Sequence, residues 1–570
     1  MIGGTLAGII ASLLFAVSLP VIIRGTIGWF KSEPLGLFYG LLGLYLFLSA
    51  IRSENKKVAA SKIIFGGVIM TFGMASWGGN QFFVIPIGLF ILALPFLKKD
   101  HKFLLWSVPL FVGIFLLISG SFERPGLSFV LGLGGLSLLF PTVFLVTSIL
   151  VQKISKDKNK IRNSLFLLIS IIVVGSFLMV LNDELDLQLM PSFRYLNAMN
   201  PFLTTVDPLV DSVAEHQSTS ITISFLLHSV WMIFAGIGVW FILSKKISQS
   251  FIKNDMKVFV LIIGISGVYV SSSFIRLEVF ASISLIILSS IALSILSKNI
   301  FKIKFFGKKN YLFKISYVAI IAFLFTLPLV FPENNNWISN GSSPPIIFTG
   351  ATSNPPTTDW LETLEWIKLN IPENAVIASW WDYGYWIQTL GERTTLIDNA
   401  TISTWQIENM AKMFLSTPVD SWNMLKEMDA DYVLIFLSAQ KINDEDELYV
   451  LGGGGDESKV MWFAKIAELP VEKYIEFGAI GTNHLNEQTM LGKMIPFAPV
   501  VYYNPDTQEY SKIYKPGFFE ISNKNVEYDS DNDPLKLVYA SPSFMNENTG
   551  PMNIVLVYQI NKNYVPSFIP

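Results

Sequence analysis

The sequence predicts a polytopic membrane protein: a helical bundle of about eleven spans, followed by a mixed α/β domain outside the membrane with a strand-rich C-terminal part. Three observations predict it. The 570 residues are 51% hydrophobic, with a mean hydropathy of +0.49, far above a soluble globular mean. The apolar stretches are confined to the chain before about Pro332. Basic residues alternate strictly from one loop to the next.

The apolar stretches run over 3–22, 34–51, 62–76, 80–96, 103–119, 127–150, 164–181, 221–244, 257–274, 277–296 and 311–331. Several are shorter than the ~20 residues that cross a bilayer, so their ends extend into the flanking loops. Taken alternately, one set of loops holds 22 basic residues, among them Arg52, Lys98, Lys153, Lys245 and Lys298. The other set holds five: Arg24, Lys31, Arg124, Arg194 and Arg276. Cytoplasmic loops carry the basic excess, so the chain starts inside and everything after Phe331 lies outside. The expected location is the cell membrane, multi-pass, with an extracytoplasmic C-terminal domain.

Residues 332–570 carry 14 Lys and Arg against 31 Asp and Glu; the residues before them carry 27 against 13. An acidic outer surface argues against a nucleic-acid partner. There is no cysteine, hence no disulfide framework and no thiol chemistry. No cleavable signal peptide is expected, because the first apolar stretch lacks a basic leader. Residues 332–358, rich in Pro, Asn, Ser and Gly, read as a linker. Asp359 is expected to cap a helix, with Glu362 in capping-box spacing. AVIAS (375–379), TTLID (394–398) and DYVLIFLS (431–438) read as strands with helices between, an α/β unit. The last stretches, APVVYYN, SKIYKPG, LKLVYAS and MNIVLVYQI, are strand-rich with turns and suggest a small antiparallel module.

WWDYG (380–384) follows the first of these strands directly and enters a short helix. Open α/β sheets place ligand sites at the carboxyl ends of strands. An indole N–H only donates and a carboxylate only accepts, so Trp380, Trp381 and Asp382 together can hold one small hydroxyl from both sides. The competing reading makes the tryptophans packing residues and Asp382 a helix cap.

WWDYG resembles the signature of the oligosaccharyltransferase catalytic subunit family, and the order of many spans followed by an outer domain is similar too. The resemblance implies transfer of an oligosaccharide from a polyprenyl (dolichyl) phosphate or diphosphate to the Asn of Asn-X-Ser/Thr. It implies that Trp380, Trp381 and Asp382 bind the +2 hydroxyl, with Tyr383 and Gly384 completing the motif. GGGGDESKVMWFAKI (452–466) resembles the family's DxxKxxxM element, giving Asp456 and Lys459, with Phe463 where methionine is usual. On a helix these three would share one face.

An amide nitrogen is a poor nucleophile, because its lone pair is delocalised into the carbonyl. Carboxylates that engage the NH2 group and a divalent cation beside the departing phosphate suit this chemistry. SVAEHQSTS (212–220), in the long outer loop 182–220, resembles the family's SVSExT-type motif and implies Glu215 as an acid touching metal and acceptor. RGTIGWFKSEPLG (24–36) resembles the family's R-x-x-x-G-x-x-D-x-E turn: Arg24, Gly28 and Glu33 align, while Lys31 stands where an acid is usual. Glu33 and Glu215 are thus the implied holders of Mn2+ or Mg2+. Arg276, in SSSFIRLEVF, and Arg194, in PSFRYLN, are implied to hold the lipid phosphate. Basic residues in spans are costly and tend to be functional, though snorkelling accounts for some. SWGGNQFF (76–83) resembles a structural turn of the family.

The turn 24–36 matches the family's turn between its third and fourth spans. The chain is therefore expected to lack the family's first two spans and the acidic outer loop between them, and to have little activity as it stands. Two rivals remain: another polyprenyl-phosphate-dependent membrane glycosyltransferase, and a non-catalytic sequon-binding paralogue. The lack of cysteine leans towards an archaeal source. No Lys or Arg lies between Glu215 and Lys245, so no preference for an acid at −2 of the sequon is expected. Asn340-Gly341-Ser342 and Asn399-Ala400-Thr401 are themselves sequons.

Overall fold

The computed structural model describes residues 2–26, 32–98, 101–184, 208–244, 252–302, 308–333, 336–352, 354–443, 447–476, 480–504, 509–511, 519–545 and 549–566. They form two compact units, Met1–Thr26 with Lys31–Ser343, and Pro344–Pro570.

The first unit is a multi-pass membrane unit. Among the described residues, eight helices are long and apolar enough to cross a bilayer, and ten spans result if each of two bent pairs counts as one. Helix Lys160–Glu184 covers the stretch predicted at 164–181. In the first bent pair, Thr5–Ala16 and Leu19–Gly25 meet at 53° where Pro20 opens the second helix. In the other, Ile221–His228 and Trp231–Leu243 meet at 89° through Ser229, whose φ of 51° is left-handed. The span Ile275–Lys302 is the most enclosed, with 89% of its apolar window buried. Glycines let its neighbours approach: a Cβ on Gly238 would stand 2.3 Å from Leu288 O. Small residues at helix contacts replace the missing hydrophobic drive between helices in lipid.

The turn SWGGNQFF is structural, as expected. Trp77 stacks on Phe280 at 5.2 Å, and Asn80 Nδ2 donates to Gly36 O at 2.8 Å, which fixes the helix that begins at Glu33.

The second unit is built on one mixed sheet. Its strands are β1 (Val376–Ala378), β2 (Thr394–Thr395), β3 (Tyr432–Asn443) and β4 (Leu448–Leu451). The pair β5 (Ile475–Glu476) and β6 (Ile480–Gly481) stands apart as a two-stranded sheet. Then come β7 (Phe497–Asn504), β8 (Glu509–Ser511), β9 (Phe519–Lys524), β10 (Leu535–Ala540) and β11 (Gly550–Ile560). The main order is β10-β11-β3-β4-β9-β7-β8, with β1 parallel to β3 and to β2.

One expectation needs correction and others gain detail. The C-terminal strands pair antiparallel and join the main sheet: β11 pairs with β3 from Gly550↔Lys441 to Gln559↔Tyr432, because both are apolar runs that must be covered on two faces. Ser511 of SKIYKPG lies in β8, and the rest of that stretch lies outside the described residues. Asp359 is the first residue of helix Asp359–Asn370, not its cap; its carboxylate accepts from Ser543 N at 2.8 Å and Oγ at 2.6 Å, while Thr358 bonds Glu362. The linker is partly ordered: Asn336 and Ser339 form a capping box on helix Trp337–Ser342.

Candidate functional site

Strand β3 changes partner along its length. β1 leaves it at Ala378↔Val433, and β4 joins the same strand only at Ala439↔Leu451. The N–H groups between these points need other acceptors, since an unpaired buried backbone donor is costly. Asp456 Oδ2 accepts from Phe436 N at 3.0 Å, and Glu457 Oε2 from Ser438 N at 3.3 Å. The glycine run makes this possible. Gly452, Gly453 and Gly454 have φ of 141°, 113° and 122°, and a Cβ on Gly455 would meet Ser438 N at 2.6 Å. WWDYG begins two residues after β1 ends, so both motifs converge on this gap.

A polar chain crosses the gap. Tyr383 Oη donates to Asp456 Oδ1 at 2.8 Å. Lys459 Nζ donates to Tyr383 Oη at 2.7 Å and pairs with Asp382 Oδ2 at 2.9 Å and Asp456 Oδ1 at 3.5 Å. Asp456, Lys459 and Phe463 span a 3-10 turn, Asp456–Ser458, and the helix Val460–Ile466 rather than one regular helix. Phe463 is buried under Trp380, with rings 4.6 Å apart, and stacks on Phe414. Trp380 is itself buried and forms a wall. Trp381 Nε1 is buried and has no hydrogen-bond partner. Asp382 lies in the 3-10 turn Trp381–Tyr383; the helix Gly384–Thr389 is entered through Tyr383, without a side-chain cap. So Asp382 is not a helix cap: one oxygen is held by Lys459 and the side chain stays a third exposed.

The gap shapes the acidities. Burial opposes charge on Lys459, but Asp382 and then Asp456 outweigh it and hold the ammonium above its ordinary range. Burial and then Asp456 push the Tyr383 phenol well up. Burial raises the Asp456 carboxyl against the pull of Lys459. Burial pushes the Glu457 carboxyl from 4.5 up to about 8. Between those values the folded chain keeps a proton that the unfolded chain has released, so this group's contribution favours folding below the window and is lost as pH rises through it. In thermal unfolding at pH 5, 6.5 and 8, E457Q should lose less stability than the parent chain as pH rises; parallel losses would contradict the assignment.

Sequence reasoning missed Asn399. Its Nδ2 donates to Asp382 O at 2.9 Å and its Oδ1 accepts from Tyr385 N at 3.0 Å, so it clasps the WWDYG turn. The only sign of it was an Asn in a sequon, and that amide is committed to this bridge. Gly384 is needed for space: a Cβ there would stand 2.5 Å from Asp398 Cα.

The first unit gathers four charged residues from four elements. Arg24 lies in the last turn of Leu19–Gly25, Glu33 opens Glu33–Ile51, Glu215 sits in the 3-10 turn Ala214–His216 and Arg276 in Ile275–Leu277. Arg24 Nη1 is 2.6 Å from Glu215 Oε1, and Arg276 Nη2 is 2.6 Å from Glu33 Oε1. Arg276 Nε is 3.9 Å from Glu215 Oε2. Arg24, expected only to support a motif, is a direct partner of Glu215. Lys31, Gly28 and Arg194 lie outside the described residues.

Among the described residues no group of three or more His, Cys, Asp or Glu gathers. Yet Glu33 Oε2 is buried without a hydrogen-bond partner, and Mg2+ or Mn2+ needs only one or two protein carboxylates when phosphate and water complete its shell. Glu33 and Glu215 fit such a cation.

Comparison with known proteins shows what the chain is similar to. The family model described as the STT3/PglB/AglB core domain matches residues 373–449, the segment of β1, WWDYG and β3. The chain is 24% identical over 555 residues to the dolichyl-diphosphooligosaccharide–protein glycosyltransferase subunit STT3 of Dictyostelium discoideum, covering 92% of this chain and 73% of that protein. It is 25% identical to the Saccharomyces cerevisiae STT3 subunit, covering 81% and 63%. Its fold matches the archaeal oligosaccharyltransferase AglB of Archaeoglobus fulgidus, solved with an inhibitory peptide and a dolichol-phosphate, with a TM-score of 0.61 at 16% identity over 94% of this chain and 65% of that one. Another structure of an Archaeoglobus fulgidus oligosaccharyltransferase, with zinc and sulfate, matches with a TM-score of 0.56 at 15% identity. With these relatives along nearly all its length and the core-domain model over WWDYG, the chain is similar to the STT3/PglB/AglB oligosaccharyltransferase catalytic subunits.

Proposed function

We propose that the chain transfers an oligosaccharide from a polyprenyl phosphate or diphosphate to the Asn side chain of Asn-X-Ser/Thr in an acceptor polypeptide. The observation that carries this reading is the buried, unpartnered Nε1 of Trp381, the residue directly before Asp382, whose carboxylate is partly open. One donor and one acceptor side by side are what a hydroxyl needs. Trp380 and Phe463 give that pocket its apolar wall, which the methyl of a threonine would contact. Lys459 fixes Asp382, and Tyr383 with Asp456 fixes Lys459.

The chemistry is assigned to the first unit. In transfer, the amide nitrogen forms a bond to the anomeric carbon, the bond from that carbon to the phosphate oxygen breaks, and the nitrogen's proton passes to the departing phosphate. Attack from the face opposite the phosphate inverts the anomeric centre. Glu33 and Glu215 accept hydrogen bonds from the amide N–H groups, which lowers its conjugation. Arg276 offers a planar fork for a phosphate. A divalent cation bound by the two acids would neutralise the departing phosphate. Arg24 holds Glu215 in place through its 2.6 Å pair. The basic-loop asymmetry supports an extracytoplasmic second unit, facing the compartment where acceptors emerge.

The test is transfer from a polyprenyl-linked sugar donor to two peptides, one with Asn-Gly-Thr and one with Gln-Gly-Thr. Sugar on the Asn amide alone supports the proposal. Sugar on the Thr hydroxyl of both peptides would overturn it in favour of a hydroxyl-directed transferase.

A further inference from the structure

The segment after Glu215 is laid along the residues around Arg276 by a row of contacts. His216 faces Phe274, with rings 5.0 Å apart. Ile275 N donates to Gln217 O at 2.9 Å, and Thr219 Oγ1 donates to Ser271 O at 3.0 Å. Ser220 then caps the helix Ile221–His228, accepting from Ile223 N. Ser224 and His228, four apart and so on one face of that helix, both reach Glu278. Ser224 Oγ donates to Glu278 Oε1 at 2.6 Å, and His228 Nε2 lies 2.7 Å from Glu278 Oε2.

His228 and Glu278 are 3% and 2% exposed. Glu278 is two residues past Arg276 and opens helix Glu278–Lys302. Acids inside a span are costly and call for a named partner and a task. Here both carboxylate oxygens are spoken for, and both partners lie on the short helix that follows Glu215. That helix ends at a strained point, Ser229 at φ 51°, before the chain turns through 89°. A non-glycine residue in that region persists only where its surroundings over-determine it.

We infer that Glu278, gripped by Ser224 and His228, is a positioning residue: it anchors the helix Ile221–His228 and so sets where Glu215 stands relative to Arg276. The consequence for transfer rests on the proposed role of Glu215; the anchoring does not. Ser224 and His228 lie outside the segments by which the chain resembles the family, and Glu278 stands two residues past the Arg276 that the resemblance singles out.

The chain has no cysteine, so a single spin label can be placed at Ser218→Cys, an exposed position between Gln217 and Thr219. In the parent background, reconstituted in lipid, the label should report restricted motion. E278A should shorten its rotational correlation time by about twofold, the sign of a locally released segment, and H228A should act in the same direction. S224A, which removes one contact without opening a large cavity, should have a smaller effect of the same sign. E278Q, which keeps an acceptor for Ser224 and a polar partner for His228, should restore the parent spectrum. Unchanged label motion in E278A and S224A, with the chain still folded by gel filtration and circular dichroism, would overturn the anchor. A released label in a chain whose parent binds Asn-Gly-Thr and Asn-Gly-Val peptides alike would leave the anchor standing and remove the proposed function instead.

Discussion

Replacing Arg276 by alanine should destabilise the membrane unit by about 3 kcal/mol, the scale for stripping one partner from a buried ion pair. Glu33 is 1% exposed; its Oε1 is 2.6 Å from Arg276, and its Oε2 has no hydrogen-bond partner. Without Arg276 the carboxylate keeps its desolvation cost and loses its counter-charge. Combining R276A with E33Q should recover most of that stability, because the stranded charge is then gone. It should not recover affinity for a polyprenyl phosphate, which needs the guanidinium fork itself. Thermal unfolding in detergent and binding of a labelled polyprenyl phosphate read the two effects separately. A double variant as unstable as R276A would show that Arg276 acts through packing, not charge.

The second large effect is expected at Lys459. K459M keeps much of the stem volume and removes the ammonium that Asp382, Asp456 and the Tyr383 hydroxyl share. Asp456 is fully buried, so its charge is left with one phenol and one backbone N–H. A loss of about 3 kcal/mol is expected for the outer unit, together with release of Asp382 from its fixed orientation. Adding D456N should return a large part of the stability and none of the hydroxyl selectivity. If K459M unfolds at the parent temperature, the polar chain across the β3 gap is not what holds the turn.

The two halves of the molecule were legible in the sequence for different reasons. Apolar length and basic-loop alternation are coarse signals that survive bends, and every predicted stretch falls on a helix or a bent pair of helices. The strands β1, β2 and β3 were legible because apolar runs bounded by turn residues have few other solutions. What was not legible depended on distant partners. β11 joins β3 across more than a hundred residues, and no local pattern tells an independent antiparallel module from the far side of one sheet. Asp359 has the spacing of a cap, but Ser543 competes for its carboxylate and wins. Among the site residues, the motif members were readable as a string. The roles of Arg24, Asn399, Ser224, His228 and Glu278 were not, since each is defined by a contact with a residue far along the chain.

The most direct measurement of the central claim is the binding of two acceptor peptides that differ only at +2, Asn-Gly-Thr and Asn-Gly-Val, to the parent chain and to D382A. Valine keeps the shape of threonine and removes the hydroxyl. A polar site left unpaired costs about 1–3 kcal/mol, so the parent should prefer threonine by about fivefold or more, and D382A should bind both peptides alike. Binding is the readout because it does not depend on the transfer chemistry assigned to the first unit. Equal affinity of the parent for the two peptides, or full threonine preference retained by D382A, would contradict the assignment of Trp381 and Asp382 as the reader of the sequon hydroxyl.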